Sequence, residues 1–261
     1  GDATSEKAFI EAVYKTGKKE GQTERVEYDY LINATGPALR FDKTPGLGPH
    51  AEGETTSVCT YSHAVEAWEK LQLAMDNMAN GKRQRMLIGT GHPMATCQGA
   101  AFEYILNVAF EIRKRGLQDM AELTWITNEY ELGDFGMGGE LKKKGGYVTS
   151  TKVFTESILS EYGIKWIKRS GITKVEKGLA HYENLDGEKH SIAFDFSMLI
   201  PAFSGQDFKA FDKEGNDITE ILFAPNGFMK VDADYTKKPY EEWSVEDWPS
   251  SYTNQAYPNI Y

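Results

Sequence analysis

Cysteine is scarce in this chain: Cys59 and Cys97 are the only two among 261 residues, and no CxxC pair exists. The five histidines show no metal-ligand spacing, which argues against a zinc site. No apolar run approaches the ~20 residues needed to span a bilayer, and the N-terminus has no signal-peptide pattern. Basic residues are outnumbered 29 to 39 by acidic ones, for a formal charge of −10. That balance disfavours nucleic acid and anionic lipid as partners. There is no initiator methionine, and the chain stops at Asn259-Ile260-Tyr261 without a cap or tail, so both ends are expected to be cut.

What is present is an ordinary globular composition, 40% hydrophobic and 12% aromatic, enough to bury one large core or two modest ones. The two cysteines stand 38 positions apart. Spacing alone leaves open a structural pair, two inert buried thiols or a redox pair.

The most informative stretch is Arg85–Tyr104, RMLIGTGHPMATCQGAAFEY. Met86-Leu87-Ile88 reads as a buried strand, and Gly89-Thr90-Gly91 follows where a βαβ unit cradles a phosphate. The dinucleotide fingerprint places its third glycine five positions after the first. Here that position is Met94, and the next glycine is Gly99. A His92-Pro93 pair lengthens the turn and presents Cys97 at the mouth of a helix predicted over Gln98–Arg115. Phe102, Ile105, Leu106, Ala109 and Ile112 form its apolar stripe, and Gly116 stops it.

Along the rest of the chain, Phe9–Tyr14 and Arg25–Tyr28 suggest a hairpin around the polar turn Lys15–Thr23. Tyr28–Gly36 reads as a strand ending in a Thr-Gly turn. Ser62 is placed to cap a helix over His63–Asn80, with Val65, Trp68, Leu71, Met75 and Met78 on one face. Leu123–Thr127 reads as a second strand, followed by a Gly-rich loop from Gly133 to Gly146 and a helix over Ser150–Tyr162. Ile164–Lys168 makes a third strand. Strands at Ile172–Glu176 and His181–Glu183 are expected to flank the turn Asp186-Gly187. Ile192–Ile200 reads as one long apolar strand, and Gly227–Asp232 as the only well-marked strand of the tail. The order predicts an α/β fold, Rossmann-like, with a mainly parallel sheet through the Met86, Trp125 and Trp166 strands.

Five local patterns carry a resemblance to the sulfide:quinone oxidoreductases and their flavoprotein relatives. They are YDYLINATGP (Tyr28–Pro37), SVCTYSHA (Ser57–Ala64), GTGHPMATCQGAAFEY (Gly89–Tyr104), LIPAFSG (Leu199–Gly205) and GFMKVD (Gly227–Asp232). The resemblance implies an NADH-binding-type Rossmann-like domain over 64–204, flanked by incomplete parts of an FAD-binding domain at 1–63 and 205–261. It also implies an internal fragment, without the first glycine fingerprint, the later A-x-G flavin turn or a third cysteine. FAD is then the cofactor of the full-length protein, and this stretch alone is expected to hold neither FAD nor NAD(H) and to be inactive.

By the same resemblance, sulfide and quinone are the partners of the full-length protein, which would attach to a membrane peripherally while the fragment is soluble. A homo-oligomer stays open, as do the electron acceptor and the sulfur product. Cys97 is placed as the thiol nearest the flavin, just before a helix start whose dipole favours a thiolate. Cys59 is an auxiliary thiol for a persulfide. Glu103, expected on the first turn of the Cys97 helix, and His63 are candidate proton-handling groups. Thr35 and Gly36 would approach FAD by the backbone.

Each has a plainer explanation: both cysteines as small buried hydrophobes, Glu103 as a dipole-complementing acid, His63 as an exposed helix residue. Asp134 replaces a second histidine seen in some relatives. His92 is expected to shape its loop, and His181 and His190 carry no functional signal. Trp243 and Trp248, in EEWSVEDWP, suggest packing or an apolar surface.

Two other functions compete. A flavocytochrome-type sulfide dehydrogenase or a general FAD-dependent NAD(P)H reductase is one. NADH use is disfavoured by the broken glycine spacing and by Glu129, which comes 40 positions after Gly89 instead of the ~20 of the fingerprint. A non-catalytic scaffold or binding module is the other.

Overall fold

A computed structural model describes the chain apart from residues 1–7, 50–52, 136–138, 140, 145–146, 234–235, 240–241, 243–244, 248, 250–251 and 261, with only the backbone of 142–144 and 147. The chain forms two compact units, Ala38–Ser204 and the paired flanks Gly1–Pro37 and Gly205–Tyr261. The central unit thus begins ahead of the 64–204 boundary predicted from sequence. In the N-terminal flank, β1 (Ala8–Val13) and β2 (Thr23–Tyr28) form the expected antiparallel hairpin.

The central unit opens with β3 (Ala38–Arg40) and α1 (Tyr61–Ala79). The N-cap of α1 is Thr60, whose hydroxyl accepts from the His63 N–H at 3.3 Å, not Ser62. Its buried face also differs from the predicted stripe. Ala67, Leu71, Ala74, Met75 and Met78 are buried, whereas Val65 and Trp68 are exposed. The two alanines let the helix approach its sheet, and the larger side chains turn outward.

Then come β4 (Gln84–Thr90), α2 (Gln98–Lys114) and β5 (Ala121–Ile126). The segment read as a Gly-rich loop holds β6 (Leu141–Lys144), which pairs with β7 (Tyr147–Ser150) just beyond it, ahead of α3 (Thr151–Glu161). After β8 (Lys165–Ile167), β9 (Ser170–Glu176), β10 (Leu179–Asn184) and β11 (Lys189–Ala193) make an antiparallel sheet. Asp186-Gly187 therefore joins β10 to β11, and Lys177-Gly178 makes the earlier turn. The unit closes with β12 (Phe196–Ile200) and β13 (Ala202–Ser204), the latter paired with β3.

Strands order as β12-β4-β5-β8, all parallel, with Ile88 opposite Trp125 and Trp125 opposite Trp166. Successive strand residues point to opposite faces, and both faces are buried along most of β12, β4 and β5, whereas Lys165 and Trp166 of the edge strand β8 are exposed. Met86, Ile88, Trp125, Met198 and Ile200 pack with α1, α2 and Leu159 of α3. Leu87, Ile126 and Leu199 pack instead against Ile172, Val175 and Ala180 of the antiparallel sheet. The result is three layers, with the carboxyl ends of β4 and β5 opening at the Cys97 turn.

The flanks contain less regular structure than predicted. Tyr28 ends β2, and among the described residues the rest of Tyr28–Gly36 makes one parallel bridge, Leu31 to Ile260, with Tyr30 and Ile32 exposed. Gly227–Asp232 likewise makes isolated bridges, Phe223–Met229 and Asp232–Thr253. Both segments have strand-like composition without the row of partners that a strand requires. Trp243 and Trp248 lie outside the described residues.

Candidate active site around Cys97

The glycines at the end of β4 and just after it are used for packing. A Cβ on Gly89, whose φ is +154°, would stand 1.7 Å from the Ile126 carbonyl oxygen of the neighbouring strand. One on Gly91 would meet the Leu47 side chain at 2.8 Å and the Ile200 carbonyl oxygen at 3.0 Å. The turn then runs His92 to Cys97 before α2 begins. His92 Nδ1 accepts from the Met94 N–H at 2.9 Å, and burial holds the imidazole below its ordinary pKa. This histidine shapes the turn, as expected.

Cys97 is the N-cap of α2, in the left-handed region at φ 64° and ψ 35°, with no side-chain capping bond. Its carbonyl oxygen accepts from the Ala100 N–H at 3.1 Å. Cys97 is exposed and Cys59 half-buried, and both thiols are free. Burial pushes the Cys59 thiol above its ordinary pKa; a hydrogen bond with Ser57 opposes this, and the nearby Cys97 adds to it. The structure thus brings the two cysteines into one neighbourhood.

His63 lies in the first turn of α1, half-buried, with its ring edge-on to Phe41 at 5.8 Å. Packing, not open solvent, surrounds one side of it. Glu103 is exposed and falls in the second turn of α2, not the first. Six residues of helix carry it about 9 Å along the axis from Cys97. Thr35 and Gly36 lie in the other unit, on an exposed irregular segment. Thr35 Oγ1 donates to Asn33 Oδ1 at 2.8 Å, and Gly36 has φ +70° with nothing within 4 Å of a Cβ position. His181 Nε2 meets Glu176 at 2.7 Å, and His190 stacks on Tyr182, both on the antiparallel sheet.

Three residues beside the thiol turn escaped the sequence-based selection. Asn128 and Gln98 are hydrogen-bonded across it at 3.0 Å. Glu129 is buried, its carboxylate accepting from Thr127 Oγ1 at 2.7 Å and the Phe135 N–H at 2.6 Å. Burial still raises its pKa above the ordinary carboxylate value. The bond to Phe135, itself at φ +48°, holds the following loop so that Phe135 packs on Phe102 of α2 at 5.5 Å. A polar run directly after an apolar strand, TNE, was the available signal. Asp134 Oδ1 is buried and has no hydrogen-bond partner among the described residues. Among the described residues no cluster of three His, Cys, Asp or Glu is placed to hold a metal, and no helix is long and apolar enough to cross a membrane.

A parallel sheet with helices on one face, an antiparallel layer on the other and a glycine turn leading into a helix defines the class: an FAD/NAD(P)-binding oxidoreductase fold. The structure of NDH2 from Plasmodium falciparum in complex with NADH shares that fold at 14% identity and TM-score 0.51, over 76% of this chain and 38% of that one. The X-ray structure of the sulfide:quinone oxidoreductase from Aquifex aeolicus matches with TM-score 0.67 and 29% identity, over 91% of this chain and 46% of that one. In sequence, the sulfide-quinone reductase of Aquifex aeolicus (strain VF5) is 33% identical over 210 residues, 78% of this chain and 44% of that protein. No family model matches. The chain belongs to the sulfide-quinone reductase family of flavoproteins and spans less than half the length of that relative.

Proposed function

We propose that the whole protein is an FAD-dependent oxidoreductase that oxidises sulfide through Cys97 and delivers the electrons to a quinone. The observation that carries this reading is an exposed cysteine at the carboxyl edge of the parallel sheet, at the mouth of α2, with a second thiol close by. Hydrosulfide opens a disulfide that Cys97 forms with another cysteine of the whole protein. Its sulfur bonds to one cysteine sulfur as a persulfide, the old S–S bond breaks, and the electron pair leaves on the other sulfur as a thiolate. Attack of a second hydrosulfide on the outer persulfide sulfur carries that sulfur away as a disulfane and leaves both cysteines as thiols. FAD, when bound in the whole protein, would supply the two-electron acceptor for their reoxidation to the disulfide, the pair going on to quinone. Cys59 takes the role of auxiliary thiol for the persulfide. Glu103 and His63 hold protons at the sulfur and quinone sides.

Thr35 and Gly36 fit an approach to FAD by the backbone, because no atom fills the space above the Gly36 Cα. Domain organisation follows the same reading: an NADH-binding-type domain between two parts of an FAD domain, in a protein peripherally attached to a membrane. By contrast, the spaces at Gly89 and Gly91 are taken by Ile126 and Leu47, which weighs against a dinucleotide pyrophosphate at the β4 turn.

The test is reduction of a quinone analogue by the whole purified protein, driven by sulfide or by NADH in parallel. Sulfide-driven turnover that Cys97→Ser abolishes is expected. Turnover with NADH alone would favour a general flavin reductase, and inertness with both donors a scaffold.

A further inference from the structure

A left-handed backbone is unfavourable for a residue with a side chain and persists only where its surroundings over-determine it. At Cys97 those surroundings converge on one side chain. Asn128, just past the end of β5, donates through Nδ2 to the carbonyl oxygens of Pro93 and Ala95, each at 2.8 Å. Its Oδ1 accepts from Gln98 Nε2 at 3.0 Å, and that same Nε2 donates to the Ala95 carbonyl oxygen at 3.2 Å. The Asn128 backbone N–H donates to Thr90 Oγ1 at 3.1 Å, which ties the residue to the end of β4. Chemistry fixes the amide orientation, because two carbonyls require the NH₂ and a flipped amide would set oxygen against oxygen. Asn128 therefore grips the chain on both sides of Cys97.

The consequence concerns where the thiol sits. An ordinary N-cap has extended backbone and turns its side chain onto the free N–H groups of the first helical turn. Cys97 has neither feature: its backbone is left-handed, its side chain makes no capping bond, and it is exposed. Gln98 and Thr90, which complete the clamp, are buried at 7% and 0% exposure, so their side of the grip is shielded from competing water, whereas the Asn128 bond to Pro93 lies at the surface.

We propose that Asn128 is a positioning residue for Cys97: by tying Pro93, Ala95 and Gln98 together it keeps the thiol off the α2 N-terminus and open to an incoming sulfur compound. This deepens the sulfide-oxidation reading and rests on Cys97 as its reacting thiol. Asn128 acts through the turn and touches no reacting atom.

The test labels Cys97 in this 261-residue chain, reduced beforehand, with an aromatic disulfide reagent across a pH series, in a Cys59→Ser background so that one thiol reports. Asn128→Ala is expected to lower the limiting rate at alkaline pH about tenfold, as the left-handed conformer is lost. The same variant is expected to move the pH profile toward acid, because the relaxed thiolate gains helix N–H groups. Loosening of the fold alone would not produce that displacement. Gln98→Met keeps the side-chain size, removes the amide and shifts both quantities the same way by less; it carries the test if Asn128→Ala does not fold. Unchanged rate and profile in the folded variants, with the parent Cys97 readily labelled, would overturn the proposal alone. A parent Cys97 refractory to the reagent would contradict the sulfide-oxidation reading as well.

Discussion

Arg85 donates three hydrogen bonds to the Asp195 carboxylate and accepts one in return. Its backbone N–H and Nε reach Oδ2 at 2.9 Å each, Nη2 reaches Oδ1 at 3.0 Å, and the Asp195 N–H returns to the Arg85 carbonyl oxygen at 2.8 Å. One residue earlier, the Phe194 N–H donates to the Gly178 carbonyl oxygen. The chain therefore leaves the antiparallel sheet and joins the parallel one between these two residues. This pair explains why the apolar run from Ile192 to Ile200 is two strands instead of one.

Asp195→Asn should destabilise the protein by about 1 kcal/mol at neutral pH, the scale of a partly exposed bidentate pair. The Arg85 hydrogen bond is the main cause holding Asp195 below its ordinary value of 3.8. A depressed carboxylate contributes stability above its ordinary pKa and loses it as pH falls through the folded value. Thermal melts of parent and variant should differ at neutral pH and converge in acid.

Glu129 has the opposite sign. Burial raises its pKa, so its favourable contribution is complete below the ordinary carboxylate value and is lost as pH rises through the folded one. Glu129→Gln removes the titration and keeps the size. Denaturant midpoints should favour the variant at alkaline pH, and the advantage should shrink toward acid.

Gly89→Ala forces a methyl into the Ile126 carbonyl oxygen at a backbone conformation that L residues rarely adopt. A cost above about 3 kcal/mol is expected, enough to lower the melting temperature sharply. Gly99→Ala meets no atom within 4 Å and serves as the control.

The parallel core was legible because strands buried on both faces are short continuous apolar runs, as in Met86–Ile88, and two of them, β4 and β5, lead on to a 3.6-period helix. The place of Cys97 at the mouth of α2 followed from the helix start. Its left-handed backbone did not, because that conformation depends on Asn128, thirty-one positions away. The α1 face was misplaced because Trp68 is apolar enough to fit either side of the helix, and only the close approach allowed by Ala67 and Ala74 decides. Tyr28–Gly36 and Gly227–Asp232 have strand composition, but a strand is defined by its partners, which composition does not supply.

The thiols should differ in reactivity. Cys97 is exposed, and the Cys59 thiol is half-buried with its pKa pushed up. Thiol titration of the folded protein should label Cys97 first, with Cys59 following only on unfolding. Equal protection of both would indicate inert core cysteines.

The most direct measurement of the central claim is anaerobic addition of sulfide to the whole flavin-loaded protein, followed by flavin absorbance. The flavin should bleach in the parent protein, and Cys97→Ser should retain the flavin yet stay oxidised. Bleaching at the parent rate in Cys97→Ser would contradict sulfide oxidation through this thiol.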